Sequence, residues 1–430
     1  MSSFLNLNKH RLLLGLLRFS HFTFRAKSFL VVAFLLFAFT SLSAQQLETL
    51  ISQALSNNPE VQAMELRYSV ATEKIKEANT LPNTSISAGY FVSEPETRTG
   101  AQKIRLSVKQ IFPWFGTITA RENYAAAMAD TEYSNIAIVK RKLVLSVSQS
   151  YYLLYAIKEK QNVLERNSQL LKTYEQLALT AVEVGNASAV DVLRLQIRQN
   201  ELEQQKKVLA YQFLGEQNRL NNLLNRDKDT SVTPVKALQI PTEDNMLADE
   251  KLALHPELLK YDKLYASVMQ SEILNKTNTR PSIGFGIDYV AVEERPNMSF
   301  DENGKDIIMP MLSLSIPIFN NKHKSITAQN KLKQQEINSL KTDKKNKLAT
   351  FLSLAVNTRN GARVRFTIQT KNLSQAKNAE AILIKNYETG TIDFKEVLDI
   401  QELQLKFQIN SIEAIKEYYT QTTIIHYLSN

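Results

Sequence analysis

Along most of the chain, apolar residues recur at helical spacing, interrupted by short stretches in which they alternate one-for-one with polar residues. Leu143, Ile157, Leu164, Leu171 and Ala178 fall at multiples of seven, as do Leu195, Leu202, Leu209 and Leu223. That is coiled-coil periodicity. The pattern predicts a helical stretch over 47–79, a very long one over about 118–183 and a shorter one beyond Gly185. The same order returns with helical stretches over 246–279 and about 323–388, and a last helix beyond Gly390. Between the first two helices of each set lie the alternating segments. Lys103-Ile104-Arg105-Leu106-Ser107-Val108-Lys109 is apolar at every second position. Ile283, Phe285, Ile287 and Tyr289 alternate with smaller or polar residues, as do Leu312, Leu314, Ile316 and Ile318. The predicted strands cover about 83–93, 102–112, 281–292 and 307–319.

The recurrence is a duplication. Asn58-Pro59-Glu60 is echoed by His255-Pro256-Glu257, Pro82 and Tyr90 by Pro281 and Tyr289, and Ile111-Phe112 by Ile318-Phe319. Gly185, Leu193, Gln196 and Asn225 return as Gly390, Leu398, Gln401 and Asn430. The offset drifts most between Tyr289 and Phe319, where Glu293 to Asp306 reads as an enlarged polar loop. The expected organisation is a first repeat over 45–225, a polar linker over 226–245 with Pro234 and Pro241, and a second repeat over 246–430.

Composition narrows the picture. Only 11 glycines in 430 residues argue against a glycine-rich sandwich or a dinucleotide-binding enzyme, and for long helices. Without cysteine there is no disulfide framework, thiolate zinc site, cysteine nucleophile or lipoprotein anchor. A net charge of +9 first suggests nucleic acid. However, Lys9, Arg11, Arg18, Arg25 and Lys27 precede an apolar run from Phe29 to Phe39 and small residues up to Ala44. That run is too short to span a bilayer and has the form of a secretory signal peptide over 1–44. Removing it leaves +4, and the case for a nucleic-acid partner falls away.

Each alternating segment is long enough to cross a bilayer as a tilted strand. Phe112, Trp114, Phe115 and Phe319 cluster at their ends, as an interfacial belt would. Alternation alone fits a soluble sheet with one wet face equally well; the leader and the long helices favour the membrane. Four strands cannot close a barrel, since ~8 is the observed minimum. Two chains would give a barrel filled by its own side chains, and three the smallest with a usable lumen. The long helices, at ~1.5 Å per residue, would make rods of roughly 100 Å.

The chain resembles the TolC-type outer-membrane factors over nearly all of residues 47–430. The likeness rests on Asn58-Pro59-Glu60, Gln110-Ile111-Phe112, Ile316-Pro317-Ile318-Phe319, Val184-Gly185 through Asp191-Val192-Leu193, and Tyr387-Glu388-Thr389-Gly390 through Glu396-Val397-Leu398. The resemblance implies a mostly α protein with a membrane β-barrel portion. Long coiled-coil hairpins and four transmembrane strands per chain would assemble as a homotrimer, with a twelve-strand barrel and an α-helical periplasmic tunnel. It implies the outer membrane of a Gram-negative bacterium, contact with outer-membrane lipid, and service as the exit duct of a tripartite efflux or type I secretion system. The implied partners are a periplasmic adaptor and an inner-membrane pump of RND or ABC type. Heavy-metal or other cation efflux and drug efflux both remain open as cargo. The Phe112-Pro113-Trp114-Phe115-Gly116 junction is similar to that of heavy-metal-efflux members.

The same resemblance assigns roles. Val184, Gly185, Asn186, Thr389, Gly390 and Thr391 would form adaptor-docking tips, with the glycines also serving as helix C-caps. Asp191, Tyr387, Glu396 and Asp399 would form a periplasmic gate, while Ile392 stands where the family places an arginine. These carboxylates are equally readable as solvated helix charges. Lys103, Arg105 and Lys109 share a strand face and would line the barrel lumen. Met309 and Met311 suggest packing before copper, and His255, His323 and His426 lack ligand spacing, His255 being placed to cap a helix. No catalytic or cofactor-binding motif is present, so no enzyme activity, cofactor or metal is expected. The competing readings are a secreted or periplasmic coiled-coil interaction protein without a pore, and an adaptor, which would carry one hairpin and β-rich domains.

Overall fold

A computed structural model describes residues 46–185, 188–244, 249–318 and 321–429. The leader over 1–44, Asn186, Phe319, Asn430 and the end of the linker lie outside the described residues.

The elements follow in a repeated order. The first set is α1 (46–57), α2 (Pro59–Ala78), β1 (Ser85–Tyr90), β2 (Glu96–Thr97), β3 (Gly100–Pro113), α3 (Thr117–Glu183) and α4 (Ala189–Leu223). After a 3₁₀ turn (Asp249–Leu254) come α5 (Pro256–Thr277), β4 (Ser282–Glu293), β5 (Ile307–Ser315), α6 (Lys322–Glu388) and α7 (Phe394–Ser429). Both α3 and α6 have 67 residues. Neither contains proline, so nothing breaks their hydrogen-bond ladder.

By contacts the chain forms two compact units, and each draws on both halves of the sequence. One contains 59–142 and 249–353, the other 46–58, 143–244 and 354–427.

The first of these holds a single antiparallel sheet, in the order β1-β3-β4-β5, with β2 paired to β3. Strands occupy the alternating segments, and β1 is shorter than expected, Ser85–Tyr90 against 83–93. A two-residue strand, β2, is added, and β5 stops at Ser315, just before Pro317, which has no N–H to give the ladder. Pro310 lies in β5, the outermost strand of this chain's sheet, opposite Ile287. Register sets the two faces, since directly opposed residues point the same way. One face carries Ser87, Arg105, Ser107, Lys109, Gly286, Asp288, Met309 and Met311. The other carries Ile86, Leu106, Val108, Phe285, Ile287, Tyr289, Ile308 and Leu312. That second face is apolar yet exposed, Ile86 at 77% and Leu312 at 72%.

Beyond the strands, the loops 91–99 and 294–306 are tied together. Arg295 donates to Glu96 at 2.9 Å and to the Thr97 carbonyl at 2.5 Å, Arg98 pairs with Glu302, and the Gly304 amide reaches the Thr99 carbonyl at 2.7 Å. Gly100 sits at φ +140°, where a Cβ would lie 1.9 Å from the Glu293 carbonyl oxygen, so no other residue fits this crossing.

The other unit is a helical bundle. Leu164, Leu171, Tyr174 and Ala178 of α3 pack with Leu195 and Leu202 of α4 and with Phe394, Val397 and Leu405 of α7. Of the heptad positions predicted for α3 and α4, Leu164, Leu171, Ala178, Leu195 and Leu202 are buried in this core, Leu209 packs against it, Leu143 and Ile157 are buried elsewhere along α3, and Leu223 is only partly buried. The linker is strapped onto this bundle. The Val235 and Leu238 amides donate to the Tyr151 and Tyr155 hydroxyls, each at 3.2 Å, and the Tyr419 hydroxyl donates to the Gln239 carbonyl at 2.6 Å. Asp244 ends the strap between Arg359 at 3.0 Å, Arg363 at 2.5 Å and the Tyr418 hydroxyl.

Lys160 of α3 and Glu413 of α7 form an ion pair in the same bundle, and Lys416 reaches Glu413 at 2.6 Å. Burial alone would push the Glu413 carboxyl up, but the two ammonium groups outweigh it and hold the carboxyl below its ordinary range. A depressed folded-state value contributes stability above the unfolded value, and that contribution is lost as pH falls through the folded one. Glu413→Gln is therefore expected to lower the bundle's stability at neutral pH and to make little difference once the carboxyl is protonated, so the acid limb below about pH 4 is flatter. Thermal melting of both proteins across that range checks it, and parallel acid limbs would contradict it.

Candidate functional site

Two places carry the residues singled out by the sequence: the two helix-to-helix turns in the bundle, and the polar face of the sheet.

At the first turn, Gly185 has φ +77° and its amide returns to the Val182 carbonyl at 3.0 Å. Ser188 caps α4 by accepting from the Val190 amide at 3.2 Å. At the second, Gly390 has φ +71°, its amide bonds the Tyr387 carbonyl at 2.9 Å, and the Thr391 amide bonds the Asn386 carbonyl at 3.0 Å. This pair of bonds is the Schellman closure, which needs a left-handed residue that glycine supplies without strain. The Thr389 and Thr391 hydroxyls both donate to the Asn386 carbonyl, at 3.0 and 2.7 Å. Val184, Gly185, Thr389, Gly390 and Thr391 are all exposed, while Asn186 is not among the described residues. Between the turns runs a groove of about 590 Å³ lined by Leu177, Val184, Ile384, Tyr387, Gly390 and Phe394.

The four expected gate residues separate into two groups. Asp191 is buried and pairs with Arg194 at 3.4 Å. The nearby Tyr387 hydroxyl is buried without a hydrogen-bond partner among the described residues. Burial first, and then the Asp191 charge, push its ionisation above the ordinary tyrosine value. Glu396 and Asp399 instead lie exposed on α7. Asp399 lines a different groove, with Arg194, Arg198 and Lys395. Ile392 packs against the core. The arginines here come from α4: Arg198 bonds Glu201 at 2.6 Å and reaches Glu402 of α7 at 3.7 Å.

Sequence reasoning missed a buried polar layer behind the turns. The Tyr174 hydroxyl donates to Glu380 at 2.5 Å and accepts from Gln401 at 3.3 Å, and Gln404 donates to Glu380 at 2.7 Å. Burial, and the neighbouring Glu380, push the Tyr174 hydroxyl far above its ordinary range. The match of Gln401 to Gln196 across the duplication was the available signal.

On the sheet, the three expected cations are in three different situations. Lys103 sits at a bulge in the β3–β4 register and pairs with Glu94 and with Glu293 at 2.6 Å. Arg105 pairs with the buried Asp288. Lys109 has no ion pair among the described residues. Its stem lies beside Gly284 and Gly286, where a Cβ would stand 3.1 and 3.6 Å from it. Met311 lies over Gly286 in the same way, 3.4 Å from such a Cβ, and this is packing. His255 caps α5, its Nδ1 accepting from the Glu257 amide at 3.2 Å, as expected of it. No helix among the described residues is long and apolar enough to cross a membrane.

Residues 50–226 match the family described as Outer membrane efflux protein. Among solved structures, the chain is similar to CusC, whose crystal structures concern folding and transmembrane channel formation. The TM-score is 0.74 at 15% identity, over 90% of this chain and 92% of that one. It is similar to the outer membrane protein VceC of Vibrio cholerae, with TM-score 0.72 at 14% identity, over 90% and 96%. It is also similar to the open state of the MtrE outer membrane channel of Neisseria gonorrhoeae, with TM-score 0.72 at 16% identity, over 89% and 88%. No curated protein matches it in sequence. Residues 50–226 are thus similar to the Outer membrane efflux protein family, and the chain has, over about 90% of its length, the fold seen in CusC and VceC.

Proposed function

We propose that this chain is one protomer of a homotrimeric exit duct in the outer membrane of a Gram-negative bacterium. Three copies contribute a twelve-strand barrel, and their helical hairpins form the periplasmic tunnel. The observation that carries the reading is the bare apolar face of the sheet. Alternation in a soluble protein would put Ile86, Phe285, Ile308 and Leu312 against a core, and here they are exposed. A face of this kind suits lipid, where all backbone polar groups must be paired within a closed barrel. The two outer strands, β1 and β5, each pair on one side only, and edge-to-edge closure with neighbouring copies satisfies them. A pore-free coiled-coil protein has no use for such a face.

The chain arose by duplication of a unit now spanning 45–225 and 246–430, joined by the linker 226–245, and its leader over 1–44 is removed on secretion. The duct is passive and does no catalysis. A periplasmic adaptor docks at Val184, Gly185, Asn186, Thr389, Gly390 and Thr391, and an RND or ABC pump in the inner membrane supplies energy and selects the cargo, heavy-metal cation or drug. Asp191 and Tyr387 close the tip, with Glu396 and Asp399 on the approach to it. Lys103, Arg105 and Lys109 line the lumen.

Because the chain has no cysteine, a single Val184→Cys variant tests this cleanly. Photo-activated cross-linking in the native host is expected to attach an adaptor, and the protein is expected to leave the outer-membrane fraction only with detergent. Extraction by salt alone, or labelling of the cysteine with no adaptor attached, would count against the duct and its docking tip respectively.

A further inference from the structure

A further groove lies where the sheet hands over to the helices. It has a volume of about 400 Å³ and is lined by α2, α3 and α5. Ala78 of α2, Ala125 and Met128 of α3 and Leu274 of α5 give it an apolar floor, and two cations, Lys74 of α2 and Arg121 of α3, stand beside that floor. Neither cation has an ion pair among the described residues. Glu73, next to Lys74, is taken by Lys76 at 2.7 Å. Glu132, which lines the groove eleven residues further along α3 than Arg121, accepts from Asn135 at 2.9 Å and lies 3.9 Å from Arg67.

The groove sits at a particular height. Lys74 stands four residues before the end of α2, Arg121 four after the start of α3, and Leu274 three before the end of α5. At ~1.5 Å per residue, both cations lie about 6 Å from the sheet ends of their helices. A bilayer of ~40–45 Å with a hydrocarbon core of ~30 Å leaves roughly 5–8 Å of headgroup layer on each side, which is the same depth. On the sheet side of the groove, Phe112 and Phe285 meet edge-on at 5.9 Å on the apolar face. Trp114 and Phe115 follow, and the Phe115 ring is 82% exposed. Arg280, just beyond the end of α5, donates to the Phe115 carbonyl at 3.1 Å and adds a third cation near the junction.

Two unpaired cations from different helices suit a phosphodiester, and an apolar floor running towards a lipid-facing sheet suits the hydrocarbon attached to it. A free anion has no use for that floor. We propose that the groove holds the headgroup phosphate of one anionic phospholipid from the periplasmic leaflet of the outer membrane, in each protomer. The phosphate meets Lys74 and Arg121, and the glycerol and first methylenes run past Ala78 and Leu274 towards Phe115. The chain has no cysteine to carry a covalent lipid, and the bound phospholipid fixes the depth of the duct instead. This inference rests on the duct reading, which puts the apolar sheet face in lipid.

The test uses purified full-length protein in vesicles of phosphatidylcholine and phosphatidylglycerol, with a photo-activated form of each lipid as the probe. Wild type is expected to attach phosphatidylglycerol to peptides of α2 and α3 roughly tenfold over phosphatidylcholine, the scale set by two basic residues near an anionic surface. Combining Lys74→Gln with Arg121→Gln should abolish the preference while the protein still inserts. Lys331→Gln removes an exposed charge of α6 outside the groove and should leave the preference intact. Ala78→Phe fills the path of the lipid, keeps both cations and should lower the yield of attachment, which serves if the double variant fails to insert. Equal attachment of both lipids to wild type, a preference that survives in the double variant, or an equal loss in Lys331→Gln overturns the lipid seat while the duct stands. Displacement of the lipid by inorganic phosphate alone overturns it too, since the floor would then take no part. If wild type does not insert into vesicles at all, the duct reading falls with it.

Discussion

Asp244→Ala is expected to destabilise the helical bundle by about 3–5 kcal/mol, the usual cost of leaving a buried charge without its partner. Asp244 stands between two guanidinium groups, with Arg359 only 8% exposed. The Nε atoms of both arginines are buried and have no hydrogen-bond partner among the described residues, so this carboxylate is their principal compensation. Tyr418 adds a hydroxyl donor to the same oxygen, and Arg363 lies 5.4 Å from the centre of the Tyr418 ring. Removing the carboxylate leaves two like charges one turn apart on the same face of α6 and frees the end of the linker strap. Tyr418→Phe loses one neutral donor and should cost about 1 kcal/mol. Replacing Asp244, Arg359 and Arg363 together with apolar residues of similar volume should recover most of the loss, because it removes the desolvated charges along with the pairing. Denaturant unfolding followed by helix circular dichroism measures all three. A loss below about 1 kcal/mol for Asp244→Ala would show that the arginines find water or another anion instead.

That clamp was invisible in the sequence, and the reason is physical. Periodicity is a local property. The heptads of α3 and α4, the alternation of β3, β4 and β5, and the glycines at 185 and 390 each describe what a few neighbouring residues do together. Elements of this kind were therefore legible, including the repeated order and the positive-φ turns. Pairings between distant residues leave no such trace. Nothing near Asp244 signals that residues 359, 363 and 418 will surround it. Lys103, Arg105 and Lys109 look equivalent by alternation, yet a one-residue bulge at Lys103 and a carboxylate 183 residues away from Arg105 make them different. The tip shows the same division. The glycine turns could be read directly, whereas Glu396 and Asp399 are not buried beside Tyr387 as Asp191 is, because the turn of α7 sets them on its exposed side. The duplication could have revealed Glu175 and Glu380 as counterparts, but not the contact of Glu380 with Tyr174, whose own counterpart is Ala379.

The different situations of the three cations lead to the other large expected effect, on ion selectivity. In the proposed barrel, the face carrying Lys109 lines the lumen. Lys103 is offset by Glu94 and Glu293, and Arg105 by Asp288, which leaves Lys109 as the cation of this set with no ion pair among the described residues. Lys109→Glu moves two unit charges per protomer at one level of the pore. It is expected to turn an anion-favouring pore into a cation-favouring one, read as a change of sign in the reversal potential across a salt gradient. The effect should be largest near 0.01 M salt, where the screening length is ~30 Å, and much reduced at 1 M, where it is ~3 Å. Arg105→Gln should shift selectivity in the same direction by a different route, since it uncovers the Asp288 carboxylate and introduces no acid. Lys103→Gln should do likewise through Glu94 and Glu293, near the loop end of the barrel. If Lys109→Glu leaves the reversal potential unchanged at low salt while the protein still conducts, Lys109 does not face the lumen, and the assignment of the two sheet faces to water and lipid must be exchanged.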